Sequence, residues 1–323
     1  MSEPSAVAVS IVVPCFNAEA TVVRALDSIA AQEGGDSSIE VLVVDDGSSD
    51  GSASVVAAYF AGHPSLRGRL VRLEANSGVS VARNAGLEAA RGEFVLFLDA
   101  DDELKPDCCR RLLACQKADG ADIVACNALR LFVDGRQKAY SSEHGKRLFS
   151  GEDFPLQTAC HSLFDTSCAK LYRREMLIAR GIRFQPGLAF GEDTLFANAA
   201  ALAASVISVD FDHCGYVYQD NLDSCSNTID VRRRLASLER VLHGLTQCLD
   251  DKRSPLLLRK ACECLWSVRK FAGGQRREIL PELVGSPLWR EVLFPVITAH
   301  GKWKHRLCAW LLDRKRFWGI GLW

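Results

Sequence analysis

The sequence predicts an α/β protein with a mostly parallel sheet, helices on both faces of the sheet and a helical C-terminal region. Strand and helix patterns alternate over residues 1–130, and this order requires crossover connections between parallel strands. Charge then changes along the chain: residues 231–323 hold 19 Lys and Arg against 8 Asp and Glu, although the whole chain has a formal net charge of −1. We therefore expect one domain over residues 1–230 and a basic region over residues 231–323.

Four apolar runs in the first part of the chain predict the strands of this sheet. Two of them, VSIVVP and IEVLVV, are continuous and rich in β-branched residues, as is typical of parallel strands buried on both faces. The predicted strands are residues 9–14, 39–44, 69–74 and 94–98.

Helical spacing of apolar residues predicts most of the remaining segments. Asn17 is expected to cap the first helix, and Gly92 to end a helix over residues 78–91. Residues 121–135 predict a strand pair that ends in an Asp-Gly turn, and VISVDF and YVYQ predict two later strands. Further helices are predicted at 53–61, 151–160, 173–180, 191–204 and beyond about 231, with a break near 273–287.

Polar residues follow three of the predicted strands at the point where each strand ends. PCFN follows the first strand, DDGS the second and DADD the fourth. Each cluster alone is typical of a turn, but the carboxyl ends of parallel strands share one edge of a sheet, where ligands bind. Acids gathered there repel one another unless a cation or a donor-rich ligand lies among them. Asp99 and Asp101 therefore predict a site for Mg²⁺ or Mn²⁺ that leaves room for phosphate oxygens.

Several classes of protein are excluded by missing signals. The first strand is followed neither by a P-loop nor by G-x-G-x-x-G, which excludes ATPases and dinucleotide-binding Rossmann enzymes. The 13 cysteines lack metal-site spacing and are typical of reduced thiols in a cytosolic protein. Because no secretory signal opens the chain and its longest apolar run is short, we expect a protein that does not cross a membrane by itself.

Five motifs, in this order, resemble the family 2 glycosyltransferases of the GT-A fold, and in particular the bacterial enzymes that build capsule, O-antigen, exopolysaccharide or teichoic-acid chains. The motifs are SIVVPCFNAEATVVRALDSI, VLVVDDGSSDGS, NSGVSVARNAGLEAARGEFVLFLDADD, SCAKLYRREML and FGEDTLF. The resemblance implies inverting, metal-assisted transfer of a sugar from a nucleotide diphosphate donor, with uridine preferred, to a saccharide or lipid-linked acceptor. It also implies a nucleotide-binding half, residues 1–130, and an acceptor half, residues 131–230.

The resemblance assigns nucleotide-binding roles to residues of the first half. Pro14 and Asn17 match the loop along the nucleotide, and Asp46, with Asp45, matches the carboxylate that contacts the base. Asn76 and Arg83 match residues that line the base and the ribose, and Asp99 would contact the ribose or the metal.

The same resemblance assigns the metal and the proton transfer. Asp101 would coordinate the metal together with Asp99, and His213 is a candidate third ligand. Asp193 would act as the general base, with Glu192 beside it contacting the acceptor.

Simpler structural roles are open for several of these residues. Glu192 and Asp193 are also typical of the first turn of a helix, where the helix dipole favours acids. His213 alone in a strand is typical of a core histidine. Lys170 would contact the acceptor or a phosphate, or it would lie in a solvated helix start, and Arg24 is expected to be an exposed helix charge. Two other functions are also open: a sugar-phosphate nucleotidyltransferase, and a catalytically silent scaffold of a polysaccharide-assembly complex.

The C-terminal region has a composition of its own. All six tryptophans lie between Trp266 and Trp323. In residues 302–323, aromatic and leucine side chains share one helical face that is surrounded by Lys and Arg. This pattern is typical of a helix on an anionic membrane surface, and equally of a helix packed on the catalytic domain or on a second subunit of a homodimer. No motif indicates binding to nucleic acid. We therefore expect a cytoplasmic protein that is either free or peripheral on the inner face of the plasma membrane.

Overall fold

The computed structural model describes residues 7–33, 38–157, 160, 162–220, 229–248, 257, 259, 276–287 and 289–294. The chain divides into two units. The first comprises Met1–Phe154, Ala159–Gly187 and Phe196–Leu222, and the second comprises Pro155–Thr158, Leu188–Leu195 and Asp223–Trp323. The predicted boundary at residue 230 thus lies near the end of the first unit, but the segment that carries Glu192 and Asp193 belongs to the second.

One sheet contains every strand of the described residues. Its strands are β1 Val9–Cys15, β2 Ile39–Asp45, β3 Arg67–Arg72, β4 Phe94–Phe97, β5 Glu103–Leu104, β6 Ile123–Leu131, β7 Gln137–Ala139, β8 Lys146–Phe149, β9 Lys170–Arg173 and β10 Ile207–Gln219. Their order is β3-β2-β1-β4-β9-β6-β10-β5, with β7 beside β6 and β8 beside β10. Strands β3, β2, β1 and β4 pair in parallel, as do β6 and β10, whereas β9 is antiparallel to both of its neighbours.

The parallel half of the sheet confirms the strands predicted from the apolar runs. Every residue of β1 and β2 is buried, so both faces of these strands are covered, as continuous β-branched runs require. Register brings Cys15 opposite Asp45, so β1 and β2 end together. The β1–β4 ladder stops at Val12 and Phe97, and Pro14 has no N–H with which to continue it.

Helices connect and cover the strands. They are α1 Val22–Ala30, α2 Ser52–Gly62, α3 Val79–Ala89, α4 Cys108–Asp119, α5 Arg174–Ala179, α6 Glu192–Ala203, α7 Val231–Cys248 and α8 Arg276–Gly285, with short 3₁₀ turns at Phe154–Leu156 and Leu163–Asp165 and a π-helical turn at Trp289–Leu293. Helix α3 packs closely on β1, because a Cβ at Gly86 would lie only 2.3 Å from Val12 Cγ1. No disulfide joins any cysteines in the described part of the chain.

Two predicted helix caps are wrong: neither Asn17 nor Gly92 caps a helix, and each makes other contacts. Asn17 has a φ of +49° and hydrogen-bonds Ser49 instead of capping α1, which begins at Val22. Helix α3 ends before Gly92, whose amide donates to Ser10 Oγ at 2.8 Å. A Cβ at Gly92 would lie 2.6 Å from the Ser10 backbone nitrogen, so the glycine permits a close approach and does not cap a helix.

Three further segments differ from their predictions. Residues 151–157 contain only a 3₁₀ turn where a helix was predicted. VISVDF and YVYQ belong to one strand, β10, because the chain stays paired to β6 across register shifts between Asp210 and Tyr216. The predicted break near 273–287 contains α8, which holds Pro281 within it.

Candidate active site

The loop after β1 and the turn after β2 are tied together by side-chain hydrogen bonds. Asn17 Oδ1 accepts from the Ser49 amide at 2.9 Å, and the Asn17 amide donates to Ser48 Oγ at the same distance. The Ala18 amide donates to Ser52 Oγ at 2.8 Å. These bonds hold the two loops as one rim at the carboxyl edge of the sheet. Pro14 lies just before this rim, buried in β1.

Asp45 and Asp46 hold the backbone of neighbouring loops. Asp46 is buried and accepts the amides of Ser77 and Gly78, one on each carboxylate oxygen and both at 2.8 Å. Asp45 accepts the Ser48 amide at 3.1 Å and pairs with Arg72 Nε at 3.3 Å. The contact of Asp46 with a base stays a prediction.

Gly47 lets the same turn approach the loop before α3. Its φ is +69°, and a Cβ there would lie 2.7 Å from both the Ala75 carbonyl carbon and the Asn76 nitrogen. This conformation and this close approach both require glycine. The exposed side chain of Asn76 is thereby presented at the edge where β2 ends.

Arg83 links α3 to the acidic turn, which we define as residues 99–102. Its guanidinium donates to Asp99 Oδ1 at 2.8 Å and lies over the Phe184 ring, 5.2 Å from the centroid. The Arg83 side chain is 3% exposed and that of Asp99 is 29% exposed. Arg83 is therefore fixed in the interior, whereas the carboxylate of Asp99 is accessible to a ligand.

Two residues of β10 hydrogen-bond the acidic turn. The Tyr216 hydroxyl accepts the Asp99 amide at 3.2 Å and donates to Asp102 Oδ2 at 2.6 Å. The Gln219 amide donates to Asp102 Oδ1 at 2.9 Å. Burial raises the pKa of Asp102 well above its ordinary value, and the nearby charges of Asp99 and Asp101 raise it further. Asp102 thus retains its proton to a higher pH than an exposed aspartate does.

Arg24 is a site residue that the sequence analysis missed. Its guanidinium donates to the Asp101 carbonyl oxygen at 2.6 Å and pairs with Glu103 at 3.1 Å. Glu103 also accepts a 2.6 Å hydrogen bond from the Gln219 side chain. The prediction of an exposed helix charge is confirmed, because Arg24 lies on α1 and its side chain is 43% exposed. Its contacts with the acidic turn were not predicted, because α1 and the turn after β4 are adjacent only in the folded sheet.

Lys170 and His213 lie in the interior of the first unit. Lys170 is fully buried in β9 and donates to the carbonyl oxygens of Thr166 and Cys168, at 2.9 and 2.8 Å. Both predicted roles, a contact with acceptor or phosphate and a place in a solvated helix start, are therefore wrong. His213 is also buried, and its Nε2 lies 3.4 Å from Asp107 Oδ1. This nitrogen faces Asp107, and the role of His213 as a metal ligand stays a prediction.

The acidic turn has the donor chemistry of a divalent-cation site. Asp99 and Asp101 carry hard carboxylate oxygens of the kind that Mg²⁺ and Mn²⁺ prefer. Within the described ranges, no group of three or more His, Cys, Asp or Glu side chains could hold a metal. Asp99 and Asp101 are the two residues of the turn that could hold a cation, and this role stays a prediction.

Glu192 and Asp193 form the first turn of α6, in the second unit. Gly191 precedes them with a φ of +82°, and its carbonyl oxygen accepts the Leu195 amide at 3.0 Å. The predicted helix start is confirmed. The roles of the two acids stay predictions.

The predicted membrane-surface segment, residues 302–323, lies outside the described residues. In the ranges that the structure covers, no helix combines the length and the hydropathy needed to cross a bilayer.

Comparison with known proteins identifies the family. The sequence profile of glycosyl transferase family 2 matches residues 10–181. The chain belongs to glycosyl transferase family 2. The match includes the rim, the Asp46 loop and the acidic turn, and it ends before Glu192 and Asp193.

Similar proteins support the same assignment. The succinoglycan biosynthesis protein ExoO of Rhizobium meliloti (strain 1021) is 34% identical over 226 residues, which cover 68% of this chain and 63% of ExoO. This chain therefore matches less than two thirds of the length of that relative.

Solved structures confirm the GT-A fold expected from the motifs. Staphylococcus aureus TarS 1–349 in complex with UDP-GlcNAc superposes with a TM-score of 0.74 at 21% identity, over 97% of this chain and 92% of that one. The mannosyltransferase PcManGT of Pyrobaculum calidifontis, in complex with GDP-Man and Mn²⁺, superposes with a TM-score of 0.55 at 18% identity, over 96% and 88% of the two chains. At these identities the likeness establishes the fold alone.

Proposed function

We propose that this chain is an inverting glycosyltransferase that moves a sugar from a nucleoside diphosphate donor to a hydroxyl group of a saccharide or lipid-linked acceptor. The observation that carries the proposal is the Arg83–Asp99 pair, because it joins α3 to the acidic turn at the carboxyl edge of the sheet. Open α/β sheets bind their ligands at this edge. Family membership supports the reaction class, and the name of ExoO supports a role in making a cell-surface polysaccharide.

The donor site would occupy the first unit. The rim of Asn17 and Ser49 and the loop of Asn76 would bind the nucleoside, with Asp46 fixing the loop backbone. Arg83 would orient Asp99 toward the ribose or the diphosphate. A UDP-sugar is the first donor to test, because TarS was solved with UDP-GlcNAc.

Asp99 and Asp101 would hold a divalent cation, Mn²⁺ or Mg²⁺, whose charge stabilises the leaving nucleoside diphosphate. The hydrogen bonds of Arg24 and Tyr216 keep the backbone of the acidic turn in place for this task. The Mn²⁺ in the PcManGT complex supports testing that ion first.

Asp193 would remove the proton from the attacking hydroxyl group of the acceptor, and Glu192 would contact the acceptor. The acceptor oxygen then forms a bond to the anomeric carbon as the bond to the diphosphate breaks. Because a single displacement attacks from the opposite face, an α-linked donor yields a β-glycoside.

Calorimetric titration of the full chain with UDP, with and without Mn²⁺, tests the proposal. Binding that requires Mn²⁺, followed by release of UDP from UDP-GlcNAc or another UDP-sugar, would support it. Equal binding of UDP with and without Mn²⁺ would show that the nucleotide site does not need a metal. Failure to bind UDP, GDP and dTDP under both conditions would overturn it in favour of a catalytically silent scaffold.

A further inference from the structure

One face of α7 runs along the segment that carries Glu192 and Asp193. Both belong to the second unit. The residues of this face, which we call the α7 stripe, are Arg234, Ser237, Val241 and Gly244. Spacings of three and four residues place them in one row on a helix. Each member of the stripe approaches a different residue of 189–195.

Arg234 makes the first contact. Its guanidinium lies over the Phe190 ring, 3.9 Å from the ring centroid, and the residue is only 4% exposed. Burial lowers the pKa of Arg234. A cation over an aromatic face is attracted more strongly when water is excluded, so this stack holds Phe190 firmly.

Ser237 and Val241 contact the residues on either side of Phe190. Ser237 Oγ accepts the Ala189 amide at 3.2 Å. Gly191 has a φ of +82°, and a Cβ there would lie 3.0 Å from Val241 Cγ2. The positive φ favours glycine at this position, and a side chain there would also require Val241 to shift slightly.

Gly244 makes the last contact, on the far side of the two acids. A Cβ at Gly244 would lie 2.8 Å from Leu195 Cδ1. The leucine therefore packs directly against the backbone of α7. Contacts at residues 189, 190 and 191 precede Glu192 and Asp193, and the contact at Leu195 follows them.

We infer that the α7 stripe is a positioning device for the Glu192–Asp193 turn, with Arg234 and Ser237 as its positioning residues. The inference rests on the proposed function, because it takes Asp193 to be the base. A carboxylate acts as a base only when it is held within hydrogen-bond reach of the proton it removes. The stripe binds the Ala189 amide before the turn and packs on the Leu195 side chain after it, so it sets the direction in which these carboxylates leave α6. Helix α7 thereby contributes to sugar transfer by positioning Asp193.

Two substitutions test the inference in the full chain: Arg234→Ala, which removes the stack, and Ser237→Ala, which removes one hydrogen-bond acceptor and is the milder change. Arg232→Ala is the matched control, because Arg232 lies on the same helix and pairs with Glu282 at 3.0 Å on the exposed surface. We expect kcat for UDP-GlcNAc, or for the UDP-sugar that the wild-type chain uses, to fall about tenfold to a hundredfold in both test variants. The donor KM and the affinity for UDP should change less than about twofold.

Hydrogen exchange gives a second measurement that does not depend on turnover. Amides of residues 189–195 should exchange faster in Arg234→Ala and Ser237→Ala than in Arg232→Ala or the wild type. Wild-type kcat in Ser237→Ala and Arg234→Ala would overturn the inference and leave the proposed function intact. Absence of UDP binding and turnover in the wild-type chain would overturn the proposed function, and with it the catalytic role of the stripe.

Discussion

Tyr216 donates a 2.6 Å hydrogen bond to the buried carboxylate of Asp102. The same hydroxyl accepts the Asp99 amide, so one side chain of β10 joins the first and last residues of the acidic turn. Tyr216→Phe should leave Asp102 with a single donor, that of Gln219, and should release the Asp99 backbone. We expect the affinity for UDP in Mn²⁺ to fall about tenfold, because the carboxylates that receive the ligand are no longer held in place.

Tyr218→Phe is the matched control for this change. Tyr218 lies on the same strand, its ring packs on Tyr216 with centroids 4.7 Å apart, and its hydroxyl donates to Thr166 Oγ1 at 2.7 Å instead of to a residue of the acidic turn. Both variants should lose about 1–3 kcal/mol of the free energy of unfolding, measured with urea, because Tyr216→Phe loses two hydrogen bonds and Tyr218→Phe loses a partly buried one. Equal UDP affinity in the two variants would show that Tyr216 contributes only stability.

Substitution of Arg83 should affect both folding and binding. Arg83→Met leaves Asp99 without its buried partner and removes the stack over Phe184, so we expect a loss of about 3–5 kcal/mol in the free energy of unfolding and no measurable binding of UDP. Arg110→Ala is the control: Arg110 pairs with Glu33 at 2.9 Å on the surface, where an ion pair contributes less than about 1 kcal/mol. A stable Arg83→Met chain with wild-type affinity for UDP would contradict the role of Arg83 in the site.

The carboxylate of Asp101 should be needed for metal-dependent binding. Asp101→Asn removes one negative charge and a hard oxygen ligand, so calorimetry should detect no gain in UDP affinity on addition of Mn²⁺. Asp134→Asn, in the exposed turn between β6 and β7, should keep the wild-type gain. An unchanged response to Mn²⁺ in Asp101→Asn would remove Asp101 from the metal site.

His213 should make the fold sensitive to acid. Burial lowers the pKa of its imidazole below the ordinary value of 6.5, and the charged groups that face it are Asp107, Arg111 and Asp210. The unfolded chain therefore binds more protons than the folded chain as the pH falls through about 6.5, so the stability is present above that pH and is lost below it.

Urea midpoints at about pH 7.5 and about pH 5.5 measure this loss. The midpoint should fall less on acidification in His213→Asn than in the wild type, whereas His144→Asn, at an exposed histidine, should behave as the wild type does. The Mn²⁺ dependence of UDP binding should persist in His213→Asn. If UDP binding in His213→Asn no longer depended on Mn²⁺, His213 would be a metal ligand.

Local pattern in the sequence was enough to predict the parallel half of the sheet and the position of the candidate site. The continuous β-branched runs at β1 and β2 can be buried only between two covered faces, and polar residues follow them where the strands end. Because parallel strands share a carboxyl edge, Asn17, Asp46 and Asp99 could be placed together before any contact was known. The family motifs lie in these same segments.

Only the tertiary structure decided which side chains support that site. Tyr216 is 117 residues from Asp99, and Arg24 is 77 residues from Asp101. Their contacts follow from strand order and from the placement of α1, which local periodicity does not encode. For the same reason, the basic composition beyond residue 231 did not reveal that α7 holds the turn of Glu192 and Asp193: composition describes the surface a helix can present, whereas its packing partner is set by the fold.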